Sequence, residues 1–162
     1  MDVVILGRIG YDLYSEEPHV PLAQVRRFSR YLGGSSANMA VGLSRLGAQV
    51  GMVSSLGDDS LSRFLIDFLQ AEKVDTTHVQ TSPGFLPSLC LTEVAPPDRF
   101  PQVFYRRDPV DTMLDVTGDD LRQPLIPERS QRLLLGLLGQ ALLDGLARAL
   151  QGAVDRGDGG AE

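Results

Sequence analysis

A glycine pair, Gly33-Gly34, stands directly before a run that can start a helix, and it constrains the fold more than any other feature. Adjacent glycines let the backbone pass where a β-carbon would collide, and they adopt positive φ angles without strain. Ser35 and Ser36 are residue types that cap helices, and a helix beginning there directs its free amide groups towards the turn. Asn38 adds a side chain with both donor and acceptor groups. The pattern indicates a turn that brings backbone amides up to a polar ligand.

The segments around this turn alternate between strand and helix. Residues 3–6 form a short, continuous apolar run, typical of a parallel strand covered on both faces. The helix after the glycine pair carries apolar positions about one turn apart and ends at a glycine: Met39, Leu43, Leu46 and Gly47. Residues 50–53 predict the next strand. Strand, helix and strand in that order predict a right-handed crossover and a parallel sheet.

A second helix and a third strand follow in the same manner. Asp59 or Ser60 caps a helix whose apolar residues recur at three- and four-residue steps, which predicts a stripe packed on the sheet. The stripe consists of Leu61, Phe64, Leu65, Phe68 and Leu69. Residues 74–79 predict a third short strand. The fold class is therefore α/β, a parallel sheet with helices on its faces.

Two segments, residues 20–32 and parts of residues 87–107, alternate polar and apolar residues instead. This alternation is typical of strands with one face towards solvent. Two surface hairpins without a role in ligand binding are one explanation of this pattern.

Composition excludes several functional classes. The chain has 162 residues, 43% hydrophobic and 22% charged, which suits a single globular domain. Its net charge of −6 without a basic run argues against nucleic acid as a partner. No apolar run reaches the ~20 residues that span a bilayer, and the start lacks a signal pattern, so we expect no membrane partner and a cytoplasmic location. Cys90, the only cysteine, reads as a buried strand residue, and His19 and His78 read as surface residues.

The glycine turn resembles the N-terminal signature of the ribokinase/PfkB carbohydrate kinases. The resemblance rests on the order and spacing of Gly33, Gly34, Asn38, Ala40, Gly47 and Gly57. Ser36 departs from it, since the signature has glycine, alanine or proline there. The resemblance covers residues 2 to about 115. Within the family, residues 7–14 and 96–106 are most similar to an enzyme of inositol breakdown that acts on a keto-sugar acid.

The resemblance implies a ribokinase-like domain over residues 1–116, in which residues 20–32 and 87–107 form a small β lid over the sugar. It further implies ATP-dependent phosphorylation of a sugar or keto-sugar acid hydroxyl, and a homodimer contact through the lid strands. The family enzymes run to roughly twice this length. We therefore expect the chain to be truncated after the N-terminal half of such a domain.

Five residues are candidates for sugar binding: Asp12, Gly33, Gly34, Asn38 and Arg106. Asp12, expected in a loop at the carboxyl end of the first strand, stands where open α/β sheets bind ligands, and its carboxylate accepts from two hydroxyls. The glycines would present backbone amides, and Arg106 would reach a ketone or carboxylate. Each side chain also has an ordinary structural explanation, as a turn residue, a helix-start residue or a solvated arginine. Their joint match to the family's sugar contacts favours the binding role.

Phosphoryl transfer requires more than a bound sugar. The second family signature, a Gly-Ala-Gly-Asp turn, does not occur in the sequence, and Lys73 is the only lysine. We therefore assign no catalytic, metal-binding or cofactor-binding residue to this chain; ATP and Mg²⁺ are expected only for the complete family enzyme. A non-catalytic sugar-binding or dimerising module is the alternative. A dinucleotide-binding domain is a third reading of residues 7–10, but the run lacks the three-glycine fingerprint.

The tail differs from the rest of the chain. Residues 117–150 are rich in leucine, glycine and alanine, and residues 133–150 predict one helix because their apolar positions recur at three- and four-residue steps. We interpret this helical tail either as a truncated or frame-altered replacement or as a divergent helix on the exposed sheet edge. Residues 151–162, rich in glycine and aspartate, are expected to be disordered.

Overall fold

A computed structural model of the chain describes residues 1–107, 109–114 and 133–135. These residues form an α/β fold, as the sequence predicts. The helices are α1 (Ser35–Arg45) and α2 (Ser60–Ala71). The strands are β1 (Val3–Leu6), β2 (Gly10–Ser15), β3 (Phe28–Gly33), β4 (Val50–Leu56), β5 (Asp75–Thr81), β6 (Ser88–Thr92), β7 (Gln102–Tyr105) and β8 (Leu133–Leu135). Single 3-10 turns lie at Leu22–Gln24 and Val110–Met113.

The main sheet has the strand order β5-β4-β1-β8, and its strands are parallel. Every residue of β4 is buried, because this strand has neighbours on both sides and is covered on both faces. The three strands predicted at residues 3–6, 50–53 and 74–79 correspond to β1, β4 and β5. The predicted parallel sheet is confirmed.

Helix α1 packs on the main sheet through small residues rather than through its long apolar side chains. Its buried side chains are small: Ser36, Ala37, Ala40 and Val41. Of the apolar positions named in the sequence, Met39 and Leu43 pack only at the margin of the core, and Leu46 is 85% exposed. Small side chains let the helix backbone come close to the sheet, and the longer ones then lie beside the contact. Gly47 has a φ of 93°, the left-handed conformation expected at a helix end.

Helix α2 is capped by Asp59, one of the two residues predicted. Its carboxylate accepts from the amides of Leu61 at 2.7 Å and Ser62 at 3.2 Å, and from the Ser62 hydroxyl at 2.6 Å. Leu65 and Leu69 are fully buried. Phe64 and Phe68 pack against the same core, whereas Leu61, at the start of the helix, remains exposed.

A second sheet has the order β3-β2-β6-β7. Strand β2 pairs antiparallel with β3 and parallel with β6, and β6 pairs antiparallel with β7. Strands β6 and β7 lie within the predicted segment 87–107. In the segment 20–32 only Phe28 onwards is a strand; residues 22–24 form a 3-10 turn, where the Leu22 amide donates to Glu93.

Strand β2 corrects the prediction that residues 7–14 end in a loop carrying Asp12. The run Gly-Tyr-Asp-Leu-Tyr-Ser alternates side chains between two faces and forms a central strand of the second sheet. Tyr11 and Leu32 on one face are buried in the core. The Tyr11 ring meets the Phe64 ring of α2 edge-on at 5.4 Å, so α2 fixes the second sheet to the main one.

Three residues, Gly7 to Ile9, connect the two sheets. The Gly7 amide donates to the Val53 carbonyl at 3.1 Å, and Ile9 is fully buried in the core. The Arg8 carbonyl lies so close to Gly34 that a β-carbon there would come within 2.5 Å of it. The connector is therefore held at each of its residues.

The tail prediction is wrong at Leu133–Leu135. These residues form β8, which pairs parallel with β1 at the edge of the main sheet, Val4 opposite Leu133 and Leu6 opposite Leu135. A short apolar run has no period that separates strand from helix, and an open strand edge offers it backbone partners. The rest of the tail, residues 117–132 and 136–162, lies outside the described residues, and the boundary at residue 116 stays a prediction. Within the described part of the chain, no helix is long and apolar enough to cross a membrane.

Candidate functional site

Asp12 lies on β2 with its carboxylate against the backbone of β3. A β-carbon on Gly33 would lie 2.2 Å from Asp12 Oδ1 and 2.5 Å from its Cγ. The carboxylate therefore occupies the volume that any side chain at position 33 would need. Gly33 is buried, and Asp12 is half-buried. The structure brings these two predicted site residues into direct contact.

Gly34 and Asn38 continue the site along the chain. Gly34 is the N-cap of α1 with a φ of 89°, and a β-carbon there would collide with the Arg8 carbonyl. The exposed Asn38 side chain donates from Nδ2 to the Gly34 carbonyl at 3.0 Å. The fold therefore requires glycine at positions 33 and 34 apart from any ligand. The glycine pair places the first turn of α1 beside the Asp12 carboxylate. The amide ends of that turn favour a nearby negative charge or hydroxyl oxygen.

Arg106 directly follows β7 and is exposed. Its guanidinium carbon lies 3.9 Å from the centroid of the Phe104 ring. Burial raises the pKa of Asp12, and the positive charge of Arg106 partly offsets that rise. Within residues 1–107 the two groups form no direct ion pair, so they attract each other over a longer distance.

Four side chains lie in register across the second sheet, and we call them the Asp12 row: Tyr31, Asp12, Cys90 and Phe104. Residues paired in register project from the same face of a sheet. Tyr31 is 52% exposed and Phe104 46% exposed, so two aromatic rings flank the acid at the surface. The Tyr14 ring, two residues along β2, meets the Tyr31 ring edge-on at 5.4 Å.

The sequence reasoning missed this row. The signal for it is the alternation in residues 10–15, which is typical of a strand and not of the loop expected around Asp12. Cys90 is buried between Asp12 and Phe104, as the prediction of a buried strand residue requires. Burial raises the pKa of its thiol, and the Thr92 hydroxyl lies 3.7 Å from the sulfur. A thiol kept protonated in this way is a poor nucleophile.

The alternative of a dinucleotide-binding turn at residues 7–10 is not supported by the structure. That fingerprint needs a helix directly after the glycines. Here Gly10 is the first residue of β2. In the described part of the chain, no three histidine, cysteine or acidic side chains are grouped to hold a metal ion.

A cavity of about 480 Å³ lies away from these residues. The cavity lies at the amino ends of the main-sheet strands, and its lining includes Gln49, Val50, Lys73 and Asp75. Asp12 and the start of α1 lie beyond the carboxyl end of β1. The grouping at Asp12 combines a carboxylate acceptor, a guanidinium donor and a helix start, which together suit a ligand bearing hydroxyl groups and a carbonyl or carboxylate.

Comparison with known proteins identifies the class. The family model described as pfkB family carbohydrate kinase matches residues 1–111. The chain is 35% identical over 127 residues to the 5-dehydro-2-deoxygluconokinase of Geobacillus thermodenitrificans, covering 76% of this chain and 38% of that protein. It is 34% identical over 136 residues to the Clostridium perfringens protein of the same name, covering 83% and 40%. The chain therefore belongs to the pfkB family of carbohydrate kinases.

Solved structures agree on the fold. The 2-dehydro-3-deoxygluconokinase of Thermotoga maritima has a TM-score of 0.79 at 23% identity, over 97% of this chain and 48% of that one. The fructokinase of Halothermothrix orenii has a TM-score of 0.72 at 29% identity, over 97% and 55%. The expected ribokinase-like fold is confirmed. The chain spans 38% and 40% of the length of the two curated relatives.

Proposed function

We propose that this chain forms the sugar-binding part of an ATP-dependent sugar kinase, with a keto-sugar acid such as 5-dehydro-2-deoxygluconate as the phosphoryl acceptor. The names of the Geobacillus and Clostridium relatives support this acceptor. The resemblance to an enzyme of inositol breakdown would further place the chain in inositol catabolism. The observation that carries the proposal is the Asp12 carboxylate, packed on Gly33 and attracted by Arg106 across the same sheet.

Each group has a defined role in the proposal. Asp12 accepts hydrogen bonds from two neighbouring hydroxyls of the sugar acid. Backbone amides at Gly33 and Gly34, with Asn38, bind further hydroxyl groups at the start of α1. Arg106 binds the keto or carboxylate end, for which a planar fork of donors is suited. Holding the acceptor in one orientation is the contribution that such a site makes to phosphoryl transfer.

The proposal assigns the acceptor side of the reaction to this chain, and ATP with Mg²⁺ to the complete family enzyme. It predicts that the keto-sugar acid raises the melting temperature of the 162-residue chain and that ATP alone does not. Asp12→Ala abolishes the ligand-induced shift while the chain stays folded. Asp67→Asn, which removes an exposed acid of α2, leaves the shift unchanged. Retained affinity in Asp12→Ala, or a melting shift with ATP alone, contradicts the proposal.

A second candidate, a non-catalytic sugar-binding or dimerising module, is favoured by the outer strand β7. All four of its residues are exposed, and it has a sheet neighbour on one side only. Exposed edge strands are templates for pairing with another chain. This candidate predicts a stable dimer without sugar, measured by light scattering after gel filtration. A monomer at all concentrations up to the millimolar range rejects the dimerising module.

A further inference from the structure

Arg106 lies over one aromatic ring, that of Phe104. The guanidinium lies 3.9 Å above the Phe104 ring, a distance within the range of cation–π contacts. Arg106 itself lies just beyond the end of β7, outside the paired residues of the strand. A long, exposed arginine side chain without backbone pairing samples many rotamers unless a neighbour restricts it. Phe104, two residues earlier and on the same face, is that neighbour.

The Phe104 ring also lies on the face of the sheet that carries Asp12. Phe104 pairs with Cys90, which pairs with Asp12, so the ring belongs to the same row as the carboxylate. The charges of Asp12 and Arg106 both act on the Cys90 thiol, which lies between the two strands. A guanidinium resting on Phe104 is therefore on the Asp12 face of the sheet. Tyr14 and Tyr31 are the other titratable side chains that share this face near Asp12.

We propose that Phe104 is a positioning residue, whose ring holds the Arg106 guanidinium on the Asp12 face so that an anionic carboxylate is bound opposite the hydroxyls held by Asp12. The inference rests on the proposed sugar-binding function for its ligand, but the Phe104–Arg106–Asp12 arrangement is measurable without any ligand. It makes Phe104 a determinant of preference for acidic over neutral sugars. Phe104 itself need not contact the substrate.

Four single variants of the full 162-residue chain test the Phe104–Arg106–Asp12 arrangement in the absence of ligand. The readout is the pKa of the Asp12 carboxyl, followed by carbon-detected NMR titration. Phe104→Leu and Arg106→Gln both raise this pKa, since each removes the positive charge from the Asp12 face. Phe104→Tyr keeps an aromatic ring and leaves the pKa as in the parent chain. Tyr105→Leu, which removes an aromatic residue from the opposite face of β7, also leaves it unchanged.

The double variant Phe104→Leu/Arg106→Gln separates positioning from a structural effect. If the ring acts through Arg106, removing it after Arg106 is gone causes no further change in the Asp12 pKa. Phe104→Met repeats the ring removal with a flexible side chain of similar volume, in case the leucine variant fails to fold. An unchanged Asp12 pKa in both Phe104→Leu and Phe104→Met overturns the inference, as does an equal change with and without Arg106.

Binding measurements test the substrate preference. Calorimetry with 5-dehydro-2-deoxygluconate should give a roughly two- to fivefold loss of affinity in Phe104→Leu, the fold-change expected for an exposed cation–π contact. Glucose, which has neither a carboxylate nor a keto group, should bind the parent and Phe104→Leu equally. Equal losses for both ligands overturn the preference. Failure of the parent chain to bind any sugar overturns the proposed function, and the NMR comparison then still decides the role of Phe104.

Discussion

The carboxylate of Asp12 fills the space that a β-carbon at position 33 would need: Oδ1 stands 2.2 Å from where that atom would be. Contacts this short are not tolerated, so a side chain at position 33 must displace the carboxylate or the strand that carries it. Gly33 and the candidate sugar-binding residue Asp12 therefore form one structural unit. A substitution at either residue tests both.

Gly33→Ala should lower both stability and sugar binding, because the new methyl group pushes the Asp12 carboxylate out of its position. Overpacking of this kind costs about 1–3 kcal/mol. Urea denaturation and calorimetry with the keto-sugar acid measure the two effects. Gly42→Ala is the matched control: nothing lies within 4 Å of the added carbon, and alanine favours a helix interior over glycine by roughly 0.5–1 kcal/mol. Unimpaired binding in Gly33→Ala would show that the position of Asp12 does not matter.

Ser36→Ala should raise the stability of the chain. Ser36 is fully buried in the first turn of α1, and within the described residues its hydroxyl has no hydrogen-bond partner. An unsatisfied buried polar group costs about 1–3 kcal/mol, which alanine avoids. Ser62→Ala in the first turn of α2 is the control, since that buried hydroxyl donates to Asp59 at 2.6 Å, and its removal should destabilise. Equal changes in the urea midpoint for the two variants would reject this explanation.

Asp12→Asn should stabilise the chain at neutral pH and weaken sugar binding. Burial raises the pKa of Asp12 and outweighs the opposite effect of Arg106, so the folded state disfavours the charged form. The unfolded chain loses its proton near pH 3.8, and the penalty therefore develops as the pH rises through that value. Urea midpoints of parent and variant should converge at pH 3 and diverge at pH 7. A parent chain that is the more stable of the two at pH 7 would contradict the prediction.

Asp59 should give the opposite pH dependence. Burial raises the pKa of Asp59. Hydrogen bonds from the Ser62 side chain and from the Ser62 and Leu61 amides together lower it by more, so the net shift is downward. Its contribution to stability is present above pH 3.8 and is lost as the pH falls through the lower folded value. Asp59→Asn retains a cap acceptor but removes this pH dependence. Asp59→Ala should cost about 1 kcal/mol at neutral pH, measured by thermal denaturation.

Local signals in the sequence are enough to predict the main sheet. The apolar runs of β1 and β4, the Asp59 cap and the glycine at the end of α1 each depend on neighbours in the chain, and each is found as predicted. Strand β2 depends on tertiary contacts instead. Tyr11 is a core residue because distant parts of the chain pack against it, among them the Phe64 ring of α2.

The site shows the same division. The glycine pair could be predicted from local sequence, and so could its place at the start of α1. The proximity of Asp12 to Arg106 could not, since it results from β2 pairing with β6 and β6 with β7. Strand β8 shows the limit of periodicity, because three leucines suit a helix and a sheet edge equally well.

The short connector between β1 and β2 has a mechanical consequence. Its three residues are pinned by the Val53 carbonyl, by the close approach of Gly34 and by the buried Ile9 side chain. Tilting β2 against the main sheet would strain all three attachments. If the second sheet opens and closes over a bound molecule, we therefore expect β6 and β7 to move while β2 serves as the fixed axis.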